Sequence, residues 1–354
     1  MDSKIWVRHM VDEVKGNQME ATERKSHWFS VILVALITLF SPFATQAAYK
    51  DVIEMKAVKV DSARSSLALD IAKAGDRLVV VGERGHVLYS DDNGESWTQA
   101  AVATRSQLNA VAFINDKLGW AVGEDAVIVH TTDGGNSWTR QFDDRDADMR
   151  GPLLDVVFLS ENEGFVVGVF NKMFKTTDGG VTWNDWSEHV DNLDDWHLFN
   201  ITTSADGVLY IGSEQGLVFK STDRGESFVP IQTDHVGSFP GVIARRGEDG
   251  SDRVIAFGPG GIIWVSSDSA ETWTKLETET LAGLLGGAWL LDGAAVIVGH
   301  EGMLLRIDRM LEEVDYQPNE SGLPLSAVLP VSENRLILVG FGGPLAVATP
   351  QAVQ

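Results

Sequence analysis

Short apolar runs and polar turns alternate along this chain at a nearly constant interval. In RLVVVGERGHVLYS, starting at Arg77, an apolar run ends in glycine, a brief polar turn follows, and a second apolar run begins. LYIGSEQGLVFKS from Leu209 and AAVIVGHEGMLLRI from Ala294 repeat the arrangement. The glycine recurs at Gly82, Gly123, Gly168, Gly212, Gly258, Gly299 and Gly340, in steps of 41, 45, 44, 46, 41 and 41 residues. Runs this short, rich in Val, Ile and Leu and bounded by turn residues, predict strands. Seven copies of a forty-odd-residue unit match the length of a four-stranded propeller blade.

The pattern therefore predicts an all-β fold, a seven-bladed β-propeller of antiparallel four-stranded blades, occupying 49–354 as one domain. We letter the strands A to D from the centre outwards. In the second blade they read LNAVAFI, LGWAVG, AVIVHTT and SWTRQF; in the third, LLDVVFL, GFVVGV, KMFKTT and TWNDW. The seventh blade has LSAVLPV, RLILVG and PLAVAT, and then the sequence stops at Gln354. The unassigned segment YKDVIEMKAV from Tyr49 is expected to supply its fourth strand and remove the open edge.

A second signature sits inside the repeat. SDDNGESW, TTDGGNSW, TTDGGVTW, STDRGESF and SSDSAETW share the pattern Ser/Thr-x-Asp-x-Gly-x-Ser/Thr-Trp/Phe, with alanine replacing glycine in the fifth copy. Their acids are Asp92, Asp133, Asp178, Asp223 and Asp268; their aromatics are Trp97, Trp138, Trp183, Phe228 and Trp273. A degenerate sixth copy contains Asp308. At a turn between strands C and D, the carboxylate can accept backbone N–H groups and the glycine permits a left-handed backbone. The aromatic can pack between blades. This is a folding device, not a catalytic constellation.

These residues resemble the Asp-box (BNR) repeats of β-propellers. The array of seven resembles the photosystem II stability/assembly factor family over roughly residues 50–350. The resemblance implies a lumenal or periplasmic propeller that binds protein and assists assembly of a membrane complex. It also implies an arginine-rich patch, for which only Arg84, Arg245, Arg246 and Arg253 are available. Sialidases and sorting receptors share the boxes, so the motif specifies fold more sharply than function.

The remaining composition bears on location and partners. Residues Trp28–Phe40 form an apolar run preceded by Arg24 and Lys25 and followed by small residues up to Ala48. That is the layout of a secretory signal, with cleavage expected after Ala47 or Ala48 and a possible true start at Met19. The run is shorter than the ~20 residues of a comfortable span, and retention as an anchor is the rival reading. The formal charge is -23, and a chain starting at Tyr49 keeps it. Such a field repels phosphate backbones and anionic membranes, arguing against a nucleic-acid partner and stable membrane insertion after cleavage. With no cysteine, disulfides and thiolate chemistry are excluded. We expect a monomer without cofactor or metal.

Loops carry function more often than scaffold strands. Turns between strands B and C should share one face with the connections between blades. That face is expected to present Glu83, Arg84, Glu124, Asp125, Lys172, Glu214, His300 and Glu301. Trp196 and His197, in the connection WSEHVDNLDDWH, and the pair Arg245–Arg246 complete the candidate binding set. His130 has a structural explanation beside its Asp box, whereas His86, like His300, follows a blade glycine and is expected to face the binding side.

Enzymatic readings fit less well. A sialidase needs clustered arginines to grip a carboxylate and a Tyr/Glu pair, and members usually carry Arg-Ile-Pro; none occurs here. Tyr49, Tyr89, Tyr210 and Tyr316 lack a nucleophile's surroundings. Trp186, His189, Asp191, Asp194 and Asp195 combine rings and carboxylates suited to a sugar platform or metal ligation, without HExxH-type spacing. Asp143, Asp144, Asp146 and Asp148 lack the glycine and terminal Glu of a calcium loop. Glycan binding or cleavage, and an accessory role in envelope transport, remain as alternatives.

Overall fold

A computed structural model describes residues 51–145, 151–205, 207–317 and 321–351. The expected signal segment, Tyr49, Asp146 and Asp148 lie outside them. The described chain forms seven sheets and no α-helix; strands that follow one another within a blade pair antiparallel, and a short strand Ala101–Val102 adds parallel to the outer strand Ser137–Phe142 of the second blade. The first runs through Ala68–Ala74, Arg77–Gly82, Val87–Ser90 and Thr98–Gln99. The innermost strands of the others are Leu108–Phe113, Leu153–Phe158, Asn200–Thr203, Gly241–Arg246, Leu284–Trp289 and Leu325–Ser332. Each touches the next, and the last touches the first, so the blades close into a ring.

The second strand of each blade is apolar because both of its faces are covered. Leu78 to Val81, Ala121 and Val122, Val254 to Phe257, Val296 to Val298 and Leu336 to Val339 are all buried. Clusters of these side chains fill the seams between blades. The aromatic of each Asp box lies in the seam with the preceding blade: Trp97 against blade seven, Trp138 against blade one, Trp183 against blade two, Phe228 against blade three and Trp273 against blade four. In the sixth blade Leu311 takes that place.

The seven repeated glycines are required by close approach. A Cβ on Gly82 would sit 2.1 Å from the Leu67 carbonyl oxygen, and one on Gly123 1.9 Å from that of Gln107. The strand entering each blade passes directly over the end of strand B, leaving no room for a side chain.

Closure differs from the sequence expectation. Among the described residues, the seventh sheet contains only Leu325–Ser332, Arg335–Gly340 and Leu345–Ala348. The segment expected to complete it lies elsewhere. Asp51 caps a short 3-10 turn, with the Ile53 N–H donating to its carboxylate at 3.1 Å. Ile53 is buried with Val102 and Trp138 in the seam of blades one and two. Ala57 donates to the Val102 carbonyl, and the Gln99 side chain bonds both Val58 and Val60. Burial of Ile53 in a ready-made pocket commits this segment to blade one. Blades seven and one are joined instead by packing of Ala63, Ile71, Val80 and Trp97 on Ile337 and Val339, with an Arg335–Glu95 ion pair at 2.8 Å.

Candidate binding surfaces and the axial channel

The Asp-box carboxylates are engaged within their own turns. In the second box, Asp133 Oδ1 accepts the Ser137 N–H at 3.0 Å and the Thr131 hydroxyl at 2.8 Å, while Oδ2 accepts the Ser137 hydroxyl at 2.6 Å. Thr131 Oγ1 in turn accepts the Gly135 N–H at 3.0 Å. Asp92, Asp178, Asp223 and Asp268 repeat the network. Gly135 holds φ 85°, and Ala270 adopts φ 70° at the same place in the fifth box. The degenerate Asp308 uses backbone alone, accepting from Met310, Glu312 and Glu313. The Ser96 hydroxyl and N–H hold Asp92 at about 2. At Asp133, Asp223 and Asp268, partial burial pushes the pKa up, but hydrogen bonds outweigh it and leave these acids low.

The turns between strands B and C do meet the connections between blades. The Glu83 N–H bonds the Leu67 carbonyl, and that of Glu124 bonds Gln107. Arg84, Asp125 and Glu301 sit at the tips with φ between 56° and 60° and are exposed. Arg84 lies 3.9 Å from Glu83. Asp125 accepts the Ser106 hydroxyl at 2.7 Å, and burial followed by the Asp125 charge raises the half-buried Glu124. Lys172 is tied to Asp144. His197 Nδ1 stands 3.1 Å from Glu214 and edge-on to Phe170. The Trp196 carbonyl caps the Asn171 turn, and His300 is exposed. His86 is buried and its pKa lowered by desolvation. These residues ring one face without converging on a reaction centre.

Two expected constellations take other forms. Trp186 and His189 stack at 3.5 Å, but the indole N–H donates to Gly225 and His189 Nδ1 contacts the Glu226 carbonyl, so the pair binds the fourth blade's box turn. Arg245 and Arg246 end the innermost strand of blade five, beside the box turn, where Arg253 contacts the Ser267 carbonyl. They occupy the face opposite Arg84. Arg246 pairs with Asp252 at 2.6 Å, Arg253 with Asp249 at 2.9 Å, and Arg309 with Glu248 at 2.5 Å, around a cleft of about 410 Å³. Desolvation, then repulsion by Arg309 and Arg253, lowers the Arg245 pKa. Tyr210, buried and donating to Asp252 at 2.9 Å, has its pKa raised by burial and that contact, which opposes a nucleophilic role.

A feature outside the candidate set lies on the ring axis. A cavity of about 340 Å³ is lined by the innermost strands. On one side, polar side chains link successive blades. Asp70 accepts from the Val111 N–H at 2.8 Å; Asn109 donates to the Leu153 carbonyl at 2.9 Å. Asp155 accepts from Asn200 and from the Ile201 N–H, and Asn200 Oδ1 accepts from the Val242 N–H at 2.8 Å. Blades one to five are thus stitched at the centre. On the other side Ile243, Phe257, Leu285 and Leu329 line the wall. Desolvation pushes Asp70 up to about 6; desolvation and then the Asp70 charge push Asp155 up to about 7. The available signal was an aspartate inside the apolar runs LALDIA and LLDVVF.

The family sequence model described as photosynthesis system II assembly factor YCF48 matches residues 47–146 and 141–306. The chain belongs to this family. No curated protein sequence matches it. Among solved structures, it is similar to one described as YCF48 bound to D1 peptide, at 19% identity and TM-score 0.65, over 84% of this chain and 97% of that one. YCF48 from Cyanidioschyzon merolae is similar at 17% identity and TM-score 0.64, over 82% and 97%. The WD40 β-propeller domain of Doa1 follows at 12% and 0.62, over 84% and 96%. At these identities the structures share the fold.

Proposed function

We propose that this chain, as a member of the photosynthesis system II assembly factor YCF48 family, is a non-catalytic scaffold that binds a subunit of a membrane complex. The family match across residues 47–306 carries this reading. A solved propeller of similar fold is described as bound to D1 peptide, which supports a protein segment as the ligand. The chemistry of the boxes agrees: their carboxylates are held by local donors and stand singly in separate blades, so they are unsuited to proton transfer. A rigid ring surrounded by loops suits recognition, because little order must be imposed on binding.

We place this activity in the periplasm or a lumen, on the strength of the basic, apolar and small-residue order of residues 24–48. Cross-linking of the tagged full chain in its native membranes, followed by mass spectrometry, should recover subunits of one membrane complex above an unrelated propeller control. Selective binding on a glycan array without such subunits, or turnover of a sialoside, would overturn the proposal.

A further inference from the structure

We propose that the face bearing the B–C turns recognises a cationic, partly apolar protein segment, through the connections linking blades three to six. The inference deepens the protein-binding reading and rests on it. Three successive connections each raise one aliphatic side chain into solvent: Leu193 is 94% exposed, Val236 85% and Leu281 88%. All three stand on fixed backbone. The side chain of Asn192, beside Leu193, donates to Asn171 at 2.9 Å and to the Trp196 carbonyl at 2.8 Å. Gly237, after Val236, accepts from the Gly216 N–H at 2.6 Å, and Ala282, after Leu281, accepts from that of Gly261 at 2.9 Å. Their shared face follows from these bonds, since Asn171, Gly216 and Gly261 belong to B–C turns.

Carboxylates flank each tip. Asp191, Asp194 and Asp195 surround Leu193; Asp234 precedes Val236 by two residues and Glu279 precedes Leu281 by two. All five are exposed, and none forms an ion pair among the described residues. Aliphatic tips held in place between unpaired acids suit a partner whose apolar side chains are bordered by Lys or Arg. Apolar contact supplies affinity there, and opposite charge steers and orients the encounter. The same acids disfavour an anionic bilayer.

The probe is a fluorescent helical peptide of Leu and Lys in amphipathic order, titrated against the full chain at physiological salt, beside a Leu/Glu peptide of equal length. Three variants separate the contributions: Leu193→Ser/Val236→Ser/Leu281→Ser; Asp191→Asn/Asp194→Asn/Asp195→Asn/Asp234→Asn/Glu279→Gln; and Val181→Ser/Leu291→Ser/Met310→Ser as a control away from these connections. Wild type should bind the Lys peptide and not the Glu peptide. Each of the first two variants should weaken binding by about tenfold or more, and the control by less than ~2-fold. Equal weakening by the control, equal binding of both peptides, no binding, or uptake of zwitterionic vesicles in place of the peptide would overturn the inference. If membrane subunits still cross-link to the Leu193/Val236/Leu281 variant as to wild type, the protein-binding reading stands and this assignment falls.

Discussion

Aspartate is used in two opposite ways here. In the box turns, Asp133 receives two hydroxyls and an N–H, and its pKa lies below the ordinary value. On the axis, Asp155 also receives three donors, from Asn200 and the N–H groups of Ile201 and Val156, yet rises to about 7. Donor number therefore does not decide the charge state. Hydration and neighbours do: the box acids stand at the surface one per blade, whereas Asp155 faces a narrow cavity shared with Asp70. The boxes favour the charged carboxylate and the axis opposes it.

The largest expected consequence is an optimum in stability near mildly acidic pH. Between an unfolded pKa near 3.8 and folded values of about 6 and 7, the folded chain binds more protons through Asp70 and Asp155. Stability therefore falls as pH rises across that window, by at most roughly 7 kcal/mol. The box acids have depressed folded values, so their contribution is present above the unfolded value and lost as pH falls toward about 2. Denaturant titrations from pH 3 to pH 8 should show both limbs, and Asp70→Asn should shrink only the alkaline one. A monotonic rise to pH 8 would remove the contrast.

Trp138→Ala tests what the boxes brace. The ring is buried at 2% exposure and packs edge-on to Phe113 at 5.8 Å. Its loss should cost about 4 kcal/mol in equilibrium unfolding. Asp133→Ala removes the carboxylate but leaves the seam, and about 2 kcal/mol is expected. Asn109→Ala deletes one axial link, to Leu153, and should cost about 1 kcal/mol. If Asn109→Ala exceeds Asp133→Ala, the axial links matter more than the box turns.

The repeat was visible because its physical demands recur. A glycine is needed wherever a connection crosses strand B, and in the first four blades an Asp-Gly-aromatic turn joins strand C to strand D. Even Asp308 keeps its turn after the flanking hydroxyls are gone. What depends on a single blade was hidden. Asp70 and Asp155 occur in two innermost strands only and read as interruptions of apolar runs. The placement of Asp51 to Val60 depended on a pocket for Ile53 that no local pattern reveals. The adjacent pair Arg245–Arg246 joined the binding-face candidates on sequence alone, but its register opposite Arg253 and Asp252 puts it on the box face. The candidate face was legible from turn spacing; its three solvated aliphatic tips emerge only once the connections are folded.

Carbon-13 titration of selectively labelled aspartate carboxyls measures the contrast itself. Assigned with Asp70→Asn and Asp155→Asn, two resonances should titrate near 6 and 7, while those of Asp92, Asp133, Asp178, Asp223 and Asp268 remain ionised well below 3.8. A single cluster of titrations near the ordinary aspartate value would contradict the account.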